Sequence, residues 1–484
     1  MTFPSFSIRK AIRVGTAVVV VAVLLLVGSI AAPTVSAENS GSQNITAMTQ
    51  NLYLGADVSA ALVLMPDISG AAQFMWDSVG ETDFPSRAPA LAAEAAAINP
   101  VVIGLQEATT WSCTPDAATA PVVIFDFTAD YLAATAKNGP GYVVATKDGA
   151  KAFSPGYAIE PIVGATVVRD PARFQPLFGT DQASCGFQIA DALLVRADMA
   201  EHVAAVGIGT FDDVLEVIPG FITVERGYAW ADIALNGTTV RFVTTHLESV
   251  WSPNVEPNSV RQARQLLEIT SAVTGPIVVM GDFNADPRDP RGPNDPNPAS
   301  QPEVSAACEG RTCNAYWIMV DGGFTDAGPD AADPKNFTWG SDASLAGPDL
   351  NRVPAAIASG NSIGYTERLD YVFVRGEITI VSSDVVGNSW PTGISTWSCD
   401  ADAQVSNSAK AAVALGVSAP DQAVCFGSDH AAVVVVAQLG VSASSTSSSP
   451  VWFVVAGVFI VLIAAAIVWG LVRRSSSSPP NESE

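Results

Sequence analysis

The chain has 484 residues, in which 48 acids face 24 cations for a formal net charge of -24. Removing the three cations of the first 37 residues, and the two cations and two acids of the last 12, leaves the middle at -27. Such an acidic average disfavours a general grip on polyanions, because phosphate neutralisation supplies most non-specific nucleic-acid affinity; a local basic groove stays compatible with it.

In chain order, Arg9, Lys10 and Arg13 precede an apolar stretch from Val14 to Ala32 and the small-residue string Val35-Ser36-Ala37. This predicts an export signal over 1–37, cleaved or kept as an anchor, and an exported middle from 38 to 440. Short β-branched or alternating runs predict strands at Ile45 to Leu52, Val101 to Gln106, Tyr142 to Thr146, Ala192 to Val195, Ala229 to Leu235 and Thr239 to Thr245. Further runs lie at Ile277 to Met280, Tyr371 to Val374, Ile378 to Val381 and Ala431 to Val436. Helical periodicity marks Pro89 to Ile98 and Ser259 to Thr274, the latter with Val260, Ala263, Leu266, Leu267 and Val273 on one face. Asp286 to Pro302 is rich in Pro, Asp and Asn and reads as a surface loop. No Pro/Ser-rich break divides the middle, so one elaborated α/β domain is expected, a sandwich of two sheets with helices outside. A Ser-rich stalk at 441–450, an apolar span at 451–472 and Arg473 with Arg474 then predict a single-pass membrane anchor, with 473–484 cytoplasmic and the middle outside the cell.

The six cysteines suit an oxidising exterior. Cys308 with Cys313 would close a short loop, and Cys113 with Cys185 and Cys399 with Cys425 are the expected remaining pairs.

Two of the three histidines lie in acid-containing strings at strand ends, Thr245-His246-Leu247-Glu248 and Ser428-Asp429-His430. Glu107 closes one apolar run, Asp282 and Asn284 close another, and Asp370 opens a third. Polar groups that follow some strands and precede others meet at one edge when the strands run oppositely. One acidic site with two imidazoles is the economical reading.

Gln50-Asn51-Leu52-Tyr53, Leu105-Gln106-Glu107, Thr244-Thr245-His246-Leu247, Gly281-Asp282-Phe283-Asn284, Arg368-Leu369-Asp370-Tyr371 and Ser428-Asp429-His430, in that order, resemble the endonuclease/exonuclease/phosphatase superfamily. The resemblance covers almost the whole middle and implies a DNase I-like fold, a four-layer α/β sandwich of two packed mixed sheets flanked by helices. Segments 56–90, 111–185, 286–365 and 385–425 look like loop expansions beside that pattern.

The resemblance implies hydrolysis of a phosphoester by water, dependent on Mg²⁺ or Mn²⁺. Such chemistry must neutralise phosphoryl oxygens, deprotonate water and stabilise the leaving oxygen, and hard oxygen donors suit those ions. By resemblance Glu107 is the principal metal ligand, joined by Asn51, with Asp429 close to the ion. Asp282 orients or activates water, and Asn284 holds phosphate. Asp370 orients His430 as base or cation, and His246 bonds a phosphate oxygen. The base is Asp282 or His430, and His246 has no assigned carboxylate partner. Arg226 is a candidate phosphate contact or a solvated partner of Glu225, and His202 reads as a surface residue. Trp111, Trp251, Trp317 and Trp339 are expected to divide between the core and substrate-facing loops.

The leading reading is therefore an exported phosphodiesterase, nuclease-like by family. A sphingomyelinase or phospholipase C-like enzyme, or an inositol-phosphate phosphatase, is its rival. Expected substrates are nucleic acid, a phospholipid headgroup or a small phosphodiester; no string names a protein partner. A surface adhesin that keeps only the fold is the non-enzymatic alternative, separable by metal-dependent hydrolysis.

Overall fold

The computed structural model describes residues 44–440 except 219–221, 250–254, 290–307, 309, 359 and 361–363. The expected signal, stalk, membrane span and tail, and Trp251, lie outside the described residues. Among those described, no helix is long and apolar enough to cross a membrane.

Sixteen strands build two sheets. They are β1 (Asn44–Asn51), β2 (Val102–Gln106), β3 (Thr110–Thr114), β4 (Val122–Asp126), β5 (Tyr142–Val144), β6 (Phe153–Ile159), β7 (Val167–Arg169), β8 (Gln182–Arg196), β9 (Val203–Thr210), β10 (Gly227–Leu235), β11 (Thr238–His246), β12 (Ile277–Asp282), β13 (Thr325–Asp326), β14 (Asp370–Arg375), β15 (Ile378–Val386) and β16 (Ala432–Leu439). The first sheet runs β15-β16-β1-β2-β8-β3-β4, with β5, β6 and β7 also paired to β8. The second runs β9-β10-β11-β12-β14-β13. Both are mixed: β1 and β2 are parallel while β16 runs antiparallel to β1, and β11 and β12 are parallel while β14 runs antiparallel to β12.

Side-chain alternation along each strand builds the layers. Ala47, Val102, Leu193 and Val195 of the first sheet share a core with Ala231, Phe242, Val278, Met280 and Val372 of the second. Their chain neighbours Met48, Ile103 and Leu194 face the other way, onto α2 (Ile68–Thr82), α3 (Phe84–Ile98) and α4 (Phe127–Asn138). Val279, Phe283 and Phe373 likewise face outward, onto α5 (Asn258–Ser271) and α6 (Ala315–Asp321). The result is the expected four-layer sandwich, DNase I-like. The sheets approach so closely at β2 that a Cβ on Gly104 would lie 2.6 Å from the Met280 side chain.

The structure differs from expectation in the segments read as loop expansions. Residues 56–90 form α1 (Val58–Val63), α2 and the start of α3, and 385–425 contain α7 (Asp402–Leu415). Their Ala- and Gly-rich composition carries little apolar periodicity, and packing onto the sheet decides the helices. Pro89 does not open its helix but lies inside α3, which begins at Phe84. The Ala192 to Val195 run is the end of the 15-residue strand β8, which is buried on both faces for most of its length and so shows no alternation. All three disulfides pair as expected, Cys113–Cys185, Cys308–Cys313 and Cys399–Cys425.

Glu94 on α3 is buried, and that burial raises its carboxyl pKa to about 7 from 4.5, with the Ser395 hydroxyl pulling the other way. A folded value above the unfolded one means stability that is full below pH 4.5 and declines as pH rises to about 7. Glu94→Gln removes the titration, so its advantage over the natural chain should widen between pH 5 and 8, by roughly 2–3 kcal/mol. Denaturant melts across that range measure it; a pH-independent difference would count against a buried neutral carboxyl.

Candidate active site

Parallel pairing places Asn51 beside Gln106, so the residues that follow β1 and β2 emerge at one edge. Glu107 leaves β2 in the left-handed region with φ of 53°, a conformation costly for a non-glycine residue unless its surroundings fix it. The fixing contacts are present: Leu54 N–H donates to Glu107 Oε2 at 2.6 Å, and Asn51 Nδ2 reaches Oε1 at 3.4 Å. Asn51 also donates to Asp282 Oδ2 at 3.1 Å, which ties the first sheet to the second. Gln106 adds another tie through Thr244 Oγ1 at 2.8 Å.

In the second sheet, register sets His246 beside Asp282 on one side and Asp370 beside it on the other. A Cβ on Gly281 would fall 1.9 Å from the Thr245 carbonyl, so only glycine allows this close approach just before Asp282. Phe283 turns into the outer core, and Asn284, with φ of 47°, returns to the site. Its amide donates to the Leu247 carbonyl at 2.8 Å and meets His246 Nε2 at 3.0 Å. That donor makes Nε2 the acceptor and leaves the proton on Nδ1, which is buried without a hydrogen-bond partner among the described residues and lies 4.0 Å from Glu107 Oε1.

His430 completes the edge. Its Nδ1 lies 2.8 Å from Asp370 Oδ2 and its Nε2 3.6 Å from Asp282 Oδ2. The Ser428 hydroxyl anchors the turn, donating to the Asn51 carbonyl at 2.7 Å and accepting from His430 N–H at 3.2 Å.

Burial and crowded carboxylates set the charges. Asp282 is pushed up to about 7 by burial, with Asp370 and Glu107 adding while His430 and the Asn284 N–H oppose. Asp429 rises to about 6 through burial and then Glu107, against His430, Arg87 and Trp339. Burial works against a charged His430, but Asp370, Asp282 and Asp429 outweigh it and hold the imidazole protonated. His246 is driven the other way by burial, Arg226 and His430, and stays neutral.

Every expected site residue reaches this edge, including Arg226. Its partner is Glu248 at 3.2 Å rather than Glu225, which is exposed. The carboxylates beside the His246 ring are Asp282, 3.4 Å from Nε2, and Glu107, 4.0 Å from Nδ1. His202 is exposed at the end of a short 3-10 helix. Trp111 is in the core, Trp317 is half-buried with its indole N–H on the Pro287 carbonyl, and Trp339 lies beside His430 with ring centroids 6.4 Å apart.

Sequence reading missed two residues. Arg87 of α3, fully buried, donates to the carbonyls of Leu52, Tyr53 and Gly427, clamping the turns that carry Asn51 and Asp429. Asp191 of β8 is buried behind the site, its pKa raised to about 8 by burial, Glu107 and Asp282 against Arg226 and the His246 N–H. Arg87 had no readable signal; Asp191 is a lone acid in an apolar strand, Ala190-Asp191-Ala192-Leu193-Leu194, which is one.

The donor set fits a divalent cation. Asp429 Oδ1 is buried without a partner among the described residues, and Asp429 and Glu107 repel each other, a strain that a cation relieves. Asn51 accepts from Tyr53 N–H at 2.9 Å through its oxygen and gives its NH₂ to Glu107 and Asp282, so it orients the acids. Asp282, Asp370 and His430 also offer ligand atoms within 4.8 Å of one another. Asp370 is hydrogen-bonded to His430, which lies within ion-pair distance of Asp282, an order suited to proton transfer, and the oxygen-only pair Glu107 and Asp429 suits Mg²⁺ or Mn²⁺ better.

Residues 48–430 match the model of the Endonuclease/Exonuclease/phosphatase family, and the chain belongs to that family. Its members are hydrolases that act on phosphoesters and are generally dependent on divalent metal. Similar solved structures include a family protein from Leptotrichia buccalis C-1013-b, 15% identical with a TM-score of 0.41, covering 82% of this chain and 100% of that one. A family member from Beutenbergia cavernae DSM 12333 is 17% identical with a TM-score of 0.43, covering 82% of this chain and 72% of that one. A mannosyl-6-phosphatase from Bacteroides thetaiotaomicron VPI-5482 is 14% identical with a TM-score of 0.39, covering 81% and 99%. The comparison with curated proteins returned no match.

A base acts only when ionised, so phosphoester hydrolysis should rise with pH through about 7 as Asp282 loses its proton. It should fall again at alkaline pH as His430 loses its own. His246→Ala and His430→Ala should each cost on the order of 10²-fold in turnover or more, and His202→Ala almost nothing. A pH-rate profile of the natural chain with the three variants beside it checks both; equal losses for all three would refute the placement.

Proposed function

We propose that this chain is an exported, membrane-anchored phosphodiesterase that depends on Mg²⁺ or Mn²⁺ and uses water as its nucleophile. The observation that carries the reading is the line Asp370–His430–Asp282, with spacings of 2.8 and 3.6 Å, beside a neutral His246 and the acids Glu107 and Asp429. Glu107 and Asp429 would hold the ion, which supplies charge neutralisation at the phosphoryl oxygens.

Asp282, with a pKa near neutrality, takes the proton of the attacking water. The water oxygen bonds to phosphorus as the opposite P–O bond breaks, and protonated His430 stands ready to return a proton to the leaving oxygen. Asp370 keeps His430 charged and oriented. The Nδ1–H of His246 and the Arg226 guanidinium offer donors to the non-bridging oxygens. The presence of every one of these groups in reach of the others speaks against a non-catalytic adhesin.

Chelation of divalent metal should abolish hydrolysis of bis(p-nitrophenyl) phosphate, and added Mg²⁺ or Mn²⁺ should restore it. Glu107→Gln should shift the metal titration far more than the melting temperature. Full activity in excess chelator would sink the assignment.

The exported placement rests on Arg9, Lys10 and Arg13 before one apolar stretch and Arg473 with Arg474 after another. Protease added to intact cells should cut within 441–450 and release a soluble, active fragment. Activity wholly protected in intact cells would show the opposite orientation or no export.

A further inference from the structure

A cavity of about 310 Å³ opens between α1 and α2 on one side and β6 and β8 on the other. Leu62, Met65 and Ile68 form its helical wall, and Trp111, Tyr157 and Phe187 its sheet wall. An apolar cavity of about half that volume holds one benzene ring, so by proportion this one takes roughly a dozen carbon atoms.

The lining holds one charged side chain, the exposed Glu160, and few polar groups to read a base. The Thr166 hydroxyl is spent on the Ile162 backbone, accepting from its N–H at 3.0 Å, and the Cys185 sulfur is in a disulfide. A hydrocarbon chain needs only apolar walls, whereas a nucleobase requires matched donors and acceptors along its edge.

The cavity adjoins the candidate active site. β6 runs past the turn that carries Arg226: a Cβ on Gly156 would lie 3.4 Å from the Glu225 carbonyl, and one on Gly227 2.9 Å from Ser154 Oγ. Tyr157, the next residue of β6, lines the cavity while its hydroxyl feels the charges of Arg226 and Glu248. A phosphate held by Arg226 therefore has an apolar slot next to it, in a chain whose net charge of -24 repels long polyanions.

Resting on the phosphodiesterase reading above, we propose that this cavity seats the hydrocarbon chain of a lipid phosphoester whose phosphate lies against Arg226, and that the enzyme selects such esters over nucleic acid. The test compares p-nitrophenyl ethyl phosphate with p-nitrophenyl octyl phosphate, using the full chain in washed membranes and Glu107→Gln membranes as the blank. KM should fall by about 10²-fold from ethyl to octyl, less than the ~4-fold per methylene that complete burial gives. Ala72→Phe and Ala158→Phe fill the cavity from opposite walls, so each should erase the octyl advantage and leave ethyl ester turnover unchanged; either one that folds, judged by thermal stability, suffices. Brisk ethyl ester hydrolysis with no chain-length effect would overturn the cavity's role and leave the phosphodiesterase reading standing, as would DNA cleaved faster than the octyl ester. Failure to cleave either ester would overturn the phosphodiesterase reading instead. The cavity is then judged by octylphosphonate, which should protect the natural chain but not Ala72→Phe from thermal unfolding; no protection would overturn it as well.

Discussion

Four carboxylates, Glu107, Asp282, Asp370 and Asp429, converge on one edge of the sandwich, and the rest of the site is a response to that crowding. Asp282 and Asp370 are almost wholly buried, where an unpaired charge is costly. The chain answers with cations of different reach. His430 sits between Asp370 and Asp282, Arg226 faces Glu248 beside them, and Arg87 approaches from behind through backbone carbonyls. Glu107 and Asp429 still repel each other, and a divalent cation fits between these demands. The crowding of the acids is thus the same feature that suits them to hold metal and move protons.

That arrangement depends on two sheets meeting in register. Asn51 and Glu107 belong to the first sheet, His246, Asp282 and Asp370 to the second, and Asp429 with His430 to the turn that enters β16. Small errors in sheet spacing would separate them, and the inter-sheet ties are polar: Asn51 to Asp282, and Thr49 through Gln106 to Thr244. Buried polar networks of this kind fix one arrangement where an apolar core tolerates several. Gly104 and Gly281 serve the same end, allowing approaches that a Cβ would forbid.

The two imidazoles show how position divides identical side chains into different roles. His430, between two carboxylates, is kept charged; His246, near Arg226 and accepting from Asn284, is kept neutral with a free Nδ1–H. A site with a charged and a neutral imidazole can neutralise one oxygen and hydrogen-bond another. The apolar cavity beyond Tyr157 extends this edge toward a different kind of contact, made by α1 and α2, the segment that sequence reading took for a loop.

The sequence by itself determined the strands, the four-layer class and the strings Leu-Gln-Glu, Gly-Asp-Phe-Asn and Ser-Asp-His, because alternation and strand-end polar groups are local properties carried by neighbouring residues. It also held the three cysteine pairs as an expectation. Tertiary structure alone decided which acid partners which base. Glu248 follows His246 by two residues yet binds Arg226; Asp191 lies 55 positions from His246 in the numbering yet sits behind it. Arg87 had no local signal, since its three acceptors are backbone carbonyls brought together by folding. Pairing, burial and the charges they impose depend on distances between strands, and those exist only once the two sheets have closed on a common core.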